Sequence, residues 1–201
     1  GGSPIGDPFD IDYVAHEMGH QFSGSHTFNG TAGSCNGNGS SQASVEPGSG
    51  STIMAYAGIC GAQNVQSNSD DYFHARSLFQ IMGFATGSGN SCALLTANGN
   101  GAPVVPTLTN RNIPNATPFI LSGSASDPNG DVLSFCWEQM NPQAATMPPV
   151  STSTTGPLFR SFTPSTSPTR YFPRLQDIIT NTNPVWEKLP SVARTMNFRV
   201  T

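Results

Sequence analysis

Three of the chain's four histidines fall in the stretch V-A-H-E-M-G-H-Q-F-S-G-S-H, residues 14–26, and their spacing restricts the fold more than any other feature. Residues four apart on a helix share one face, so His16 and His20 can approach one ion together. His26 can join them only if the chain reverses just after the helix, and S-G-S-H supplies such a reversal. Solvated imidazoles on an ordinary helix are the plain alternative. The surrounding D-I-D-Y-V-A-H-E-M-G-H-Q-F, residues 10–22, reads as that helix. Asp10 can cap it, Asp12 adds charge near its positive end, and Val14, Met18 and Phe22 recur on one face that should pack inward.

Zinc suits imidazole nitrogen, and a catalytic site supplies three protein ligands while leaving a fourth position open. His16, His20 and His26 fill that requirement, and Glu17 lies where it can take a proton from activated water, as in the H-E-x-x-H pattern. A purely structural zinc site fits less well, because a closed site usually has a fourth protein ligand and no need of a neighbouring glutamate.

Beyond this helix the sequence predicts an α+β chain in two parts. Residues 29–51, rich in Gly, Ser and Asn, read as a long surface loop. S-D-D-Y-F-H-A-R-S-L-F-Q-I-M-G-F-A, residues 69–85, reads as a second helix. Its apolar stripe is Tyr72, Ala75, Leu78, Phe79 and Met82, with Ser69, Asp70 or Asp71 as cap and His74 as a satisfied structural histidine. A polar linker precedes P-F-I-L-S-G-S-A-S-D, D-V-L-S-F-C-W-E-Q and T-M-N-F-R-V-T, which alternate apolar and polar residues as strands do. We therefore place a mostly helical and loop domain over 1–100 and a small β-sandwich over 101–201, with Trp137 in its core. D-P-N-G-D is a tight turn whose Asp127, Asn129 and Asp131 offer oxygen ligands that could suit calcium.

Charge excludes one class of partner: with 8 Lys plus Arg and a net charge of −4, the chain has no grip on a phosphate backbone, so nucleic acid is not expected. No apolar run approaches a membrane span. The four cysteines permit two disulfides in three connectivities, among which Cys35–Cys60 is favoured.

H-E-M-G-H-Q-F-S-G-S-H followed by S-T-I-M-A-Y resembles the metzincin zinc metalloendopeptidases, and the wider stretch from D-P-F-D-I-D-Y to G-S-G-S-T-I-M-A-Y-A-G-I-C-G is similar to secreted bacterial reprolysin-like enzymes. The resemblance implies that His16, His20 and His26 bind zinc, that Glu17 is the general base, and that Met54 floors the site. It implies that Tyr56 can stabilise the oxyanion of a peptide or protein substrate. It further implies that residues 5–86 are the lower half of a catalytic domain. The sheet-bearing N-terminal half and pro-segment would then belong to a larger secreted precursor, of which this chain is a fragment or one nicked product. The family's glycine position holds Ser23, with Gly24 one residue later, so either Ser23 is strained into a left-handed conformation or the turn shifts. The second part resembles PKD and fibronectin type III modules, continuing past Thr201. The competing function is an extracellular binding or adhesion protein with a remnant zinc site.

Overall fold

A computed structural model describes residues 5–201. The first four positions of the 1–100 span lie outside the described residues. An N-terminal helix- and loop-rich region is followed by a small β-sandwich of two two-stranded sheets.

Helix α1 (Asp7–Phe9), a π-helical segment (Asp10–Ala15) and α2 (His16–Gln21) run on as one rod, because Phe9 and Ala15 at the joints keep right-handed helical dihedrals. Asp10 is therefore interior to the helix and not its cap. The start lies earlier, where the N–H groups of Phe9 and Asp10 both donate to the Gly6 carbonyl. Asp12 instead takes the Ser69 N–H at 2.7 Å, tying the rod to a distant segment. The inward face is not the expected one either. Val14, Met18 and Phe22 are exposed, while His16 and Gly19 are buried. A Cβ on Gly19 would lie 2.3 Å from the Met54 sulfur, so only glycine lets the rod settle this closely on Met54.

The Gly/Ser/Asn stretch is irregular as expected, but only residues 31–42 form a mostly exposed loop, with Cys35 buried within it. Residues 43–55 are buried throughout. Their backbone is satisfied without regular structure, through Glu46, Thr27 and the 70–72 segment. The last of these contacts also delays the second helix. Asp70 N–H donates to the Ser51 carbonyl and Ile53 N–H to the Tyr72 carbonyl, which spends those groups outside any helix. Helix α3 consequently spans Ala75–Thr86, with His74 as its cap accepting from Arg76 N–H at 3.0 Å. Leu78, Phe79 and Met82 remain exposed on it. Cys35 and Cys60 form the favoured disulfide, and Cys92 and Cys136 are free. Among the described residues, no helix is long and apolar enough to cross a membrane.

In the sandwich, β1 (Phe119–Ser122) pairs antiparallel with β3 (Thr169–Phe172), Phe119 opposite Phe172. Strand β2 (Trp137–Gln139) pairs antiparallel with β4 (Phe198–Val200), Trp137 opposite Val200. The three strand-like stretches read from sequence contain β1, β2 and β4. Phe159 and Phe172 are buried between the sheets with Trp137, and Phe119 stacks on Phe172 at 4.8 Å. Such ring pairs add about 0.5–1.5 kcal/mol each beyond area burial. A fourth helix, α4 (Leu175–Ile179), follows β3.

The two parts share a polar interface. Glu138 of β2, 1 % exposed, accepts the Ala75 N–H at 2.6 Å and so caps α3 from the sandwich side. Its other oxygen accepts from Ser161, which in turn accepts from the Tyr72 hydroxyl at 2.7 Å. His74 Nε2 lies 3.6 Å from that oxygen. Asn29 donates to the Gln143 carbonyl and accepts from Ala145 N–H, and Gln63 donates to the Met147 carbonyl. Buried groups on each side thus find their partners on the other.

Candidate metal centre

The rod presents His16 and His20 one turn apart, and the reversal brings His26 to the same place. Ser23 has φ 66°, so it takes the left-handed conformation at the helix end. Gly24 is needed as well: its N–H donates to the Gly19 carbonyl at 2.8 Å, and a Cβ there would meet that same oxygen at 2.8 Å. Of the two options raised by the sequence the first holds: Ser23 takes the left-handed conformation and the turn does not shift onto Gly24, whose φ is not positive.

Ligand atoms of His16, His20 and His26 all lie within 4.8 Å of one another, and this is the cluster of three such groups found among the described residues. Each ring has its Nδ1 against a backbone carbonyl: His16 on Ile53 at 2.7 Å, His20 on Gly24 at 2.8 Å, His26 on Asn38 at 2.6 Å. A carbonyl can only accept, so each Nδ1 carries the hydrogen and donates it. In the neutral ring that leaves Nε2 bare. The Nε2 atoms of His20 and His26 stand 3.0 Å apart. Two bare lone pairs at that separation repel unless a positive charge lies between them. Orientation of a ligand ring by a bond from its far nitrogen is the usual second layer of a metal site. Burial lowers the pKa of His16 and of His26, against opposing contributions from the carbonyl bonds and the Glu17 carboxylate. These two rings therefore keep the neutral, metal-competent form to more acidic pH than a free histidine. Donor type, number and tautomer all suit zinc.

Glu17 is exposed, and its charge is felt at His16 and His26. Its charge helps to raise the Tyr56 pKa, after the larger effect of burial. The Tyr56 ring centroid lies 4.5 Å from that of His26 and 5.6 Å from that of His16. Tyr56 and Phe28 pack on the Cys35–Cys60 disulfide, and Phe28 stacks on His26 at 5.2 Å. Met54, fully buried, sits against Gly19 beneath the rod.

The D-P-N-G-D residues stay far simpler. Asp127 Oδ1 accepts the N–H groups of Asn129 and Asp131, and Asn129 Oδ1 accepts from Gly101 N–H. Asp127 and Asn129 thus each spend one side-chain oxygen on backbone N–H groups, and among the described residues these three do not gather as a ligand set. What sequence reasoning missed is the buried Glu46 and the three carbonyls that accept from the rings. Carbonyls carry no signal in a sequence. Glu46 does, as the one Asp, Glu, Lys or Arg between Glu17 and Asp70.

Residues 1–84 match the family described as metallo-peptidase family M12B, reprolysin-like. They form a reprolysin-like, metzincin-type domain with a candidate metal site, and a β-sandwich module follows. No curated protein and no solved structure matches the chain.

Proposed function

We propose that the chain carries the zinc centre of a metalloendopeptidase that hydrolyses peptide bonds in proteins. The observation that carries this reading is the convergence of three imidazoles, ligand atoms within 4.8 Å of one another, whose Nδ1 atoms are all committed to carbonyls, leaving three Nε2 lone pairs bare. His16, His20 and His26 would hold the ion. Zinc supplies a Lewis acid that polarises a carbonyl and makes water acidic enough to attack near neutral pH.

Every other role belongs to side chains of this protein. Glu17, exposed beside the ligands, is the proton acceptor during attack and returns that proton to the leaving amine. Tyr56, whose phenol is held protonated by burial and by the Glu17 charge, donates a hydrogen bond to the developing oxyanion. Met54 keeps α2 at its depth through Gly19.

The exposed Met18, Phe22, Phe79 and Met82 support packing of a further segment of a longer precursor, such as a sheet-bearing subdomain or pro-segment. The disulfide supports an oxidising, extracellular setting. The domain division at residue 100 and the PKD or fibronectin type III identity of the sandwich belong to the same reading, as does a bacterial source. Calcium at Asp127, Asn129 and Asp131 gains no support, since Asp127 and Asn129 each spend an oxygen on backbone N–H groups.

The test is cleavage of a denatured protein substrate by this chain and by the full gene product, with and without zinc. Cleavage that is zinc-dependent and falls by about 10²–10⁴-fold in Glu17→Ala supports the proposal. Zinc-independent cleavage, or none by the full product, refutes it.

A further inference from the structure

Glu46 is 1 % exposed. A buried carboxylate needs donors for both oxygens, and this one has four. Oε2 accepts from the hydroxyls of Thr27 at 2.5 Å and Thr52 at 2.6 Å. Oε1 accepts from the N–H groups of Ser51 at 2.9 Å and Thr52 at 3.2 Å. Its backbone is held in the same place, since Glu46 N–H donates to the Thr27 carbonyl and Asn29 N–H to the Glu46 carbonyl.

Both sets of partners lead to metal-site residues. Thr27 follows His26. Thr52 precedes Ile53, whose carbonyl accepts from His16 Nδ1, and Met54, which supports Gly19. Thr27 N–H closes the circuit by donating to the Met54 carbonyl at 3.0 Å. We propose that Glu46 is a positioning residue of the metal site, clamping the segment that bears His26 to the turn that aims His16. It is not itself a ligand, because four donors occupy the four lone-pair sites of its two oxygens. One carboxylate therefore couples two of the three ligand supports. The inference rests on the metal reading above and deepens it.

A carboxylate is the group required. Glutamine is isosteric, but an amide nitrogen on the Oε1 side would face two N–H donors. On the Oε2 side it would face two hydroxyls, which can rotate to accept. Glu46→Gln should consequently fold with a loosened clamp, and Glu46→Ala should lose it.

Zinc affinity is measured by chelator competition on the folded full chain. The expected fall is about 10-fold for Glu46→Gln and up to about 100-fold for Glu46→Ala, the range for residues that orient metal ligands. Thr52→Val removes one arm of the clamp without touching Glu46, so it covers the case in which Glu46→Ala does not fold. Glu187→Gln, a buried carboxylate in the sandwich, is the control for a merely structural role. It should lower the melting temperature and leave zinc affinity unchanged.

A second readout needs no metal: the Nδ1–H proton resonances of His16 and His26, protected by their carbonyl bonds. They should broaden in the Glu46 variants and persist in Glu187→Gln. Zinc affinity within about twofold of wild type in Glu46→Gln and Thr52→Val, with both resonances retained, overturns the clamp. Wild-type protein that binds no zinc refutes the metal reading instead, and the resonances then decide the clamp alone.

Discussion

Ser23→Gly should stabilise the protein, and the margin can be worked from the turn. Ser23 sits at φ 66°, where an L-residue with a Cβ bears roughly 1–2 kcal/mol of strain. Glycine removes that strain but loses more entropy on folding, about 0.4–1 kcal/mol. Ser23 is exposed, so no buried contact is lost with its side chain. The strain term wins, leaving a net gain of about 0.5–1 kcal/mol, or roughly 1–4 °C in melting temperature for a chain of this size. Thermal unfolding of metal-free Ser23→Gly against wild type measures it, with Gly24→Ala as counterpart. That second change sets a Cβ 2.8 Å from the Gly19 carbonyl oxygen and should lower the midpoint. If Ser23→Gly leaves the midpoint unchanged or lowers it, the strain argument is refuted.

Gly19→Ala drives a Cβ into the Met54 sulfur, so it should cost about 1–3 kcal/mol by overpacking and weaken zinc binding, read by thermal unfolding and chelator competition. Glu138→Ala strips the Ala75 N–H and the Ser161 hydroxyl of their buried acceptor. At about 1–3 kcal/mol per unsatisfied group, urea unfolding should show a loss of roughly 2–6 kcal/mol. Cys136 is buried and its thiol is pushed up to about 12, first by burial and then by Glu138. Iodoacetamide at pH 8.5 should therefore label exposed Cys92 alone in the native protein, and both free thiols after denaturation, counted by mass spectrometry.

The candidate metal site was the most legible part of this sequence, because the spacing of its residues is local: His16, His20 and His26 lie within a single helix and turn. Three of the four strands were legible through alternation. Strand β3 was not, because T-R-Y-F sits among Ser, Thr and Pro and alternates only weakly. The burial of residues 43–55 was illegible for a different reason. Polar residues normally mark a surface, and here the Glu46 carboxylate, together with backbone groups from distant segments, satisfies groups that would otherwise need water. The late start of α3 likewise depends on bonds from Ser51 and Ile53 across the fold. The inward face of the N-terminal rod was misread because the side that packs is the one carrying His16 and Gly19, while the apolar stripe is exposed.

X-ray absorption at the zinc edge, on protein loaded with one equivalent of metal, tests the central claim most directly. The account predicts three imidazole nitrogens at about 2.0–2.1 Å and one water oxygen in the open position, with one imidazole lost in each of His16→Ala, His20→Ala and His26→Ala. A spectrum with sulfur ligation, or one unchanged by His26→Ala, would contradict it.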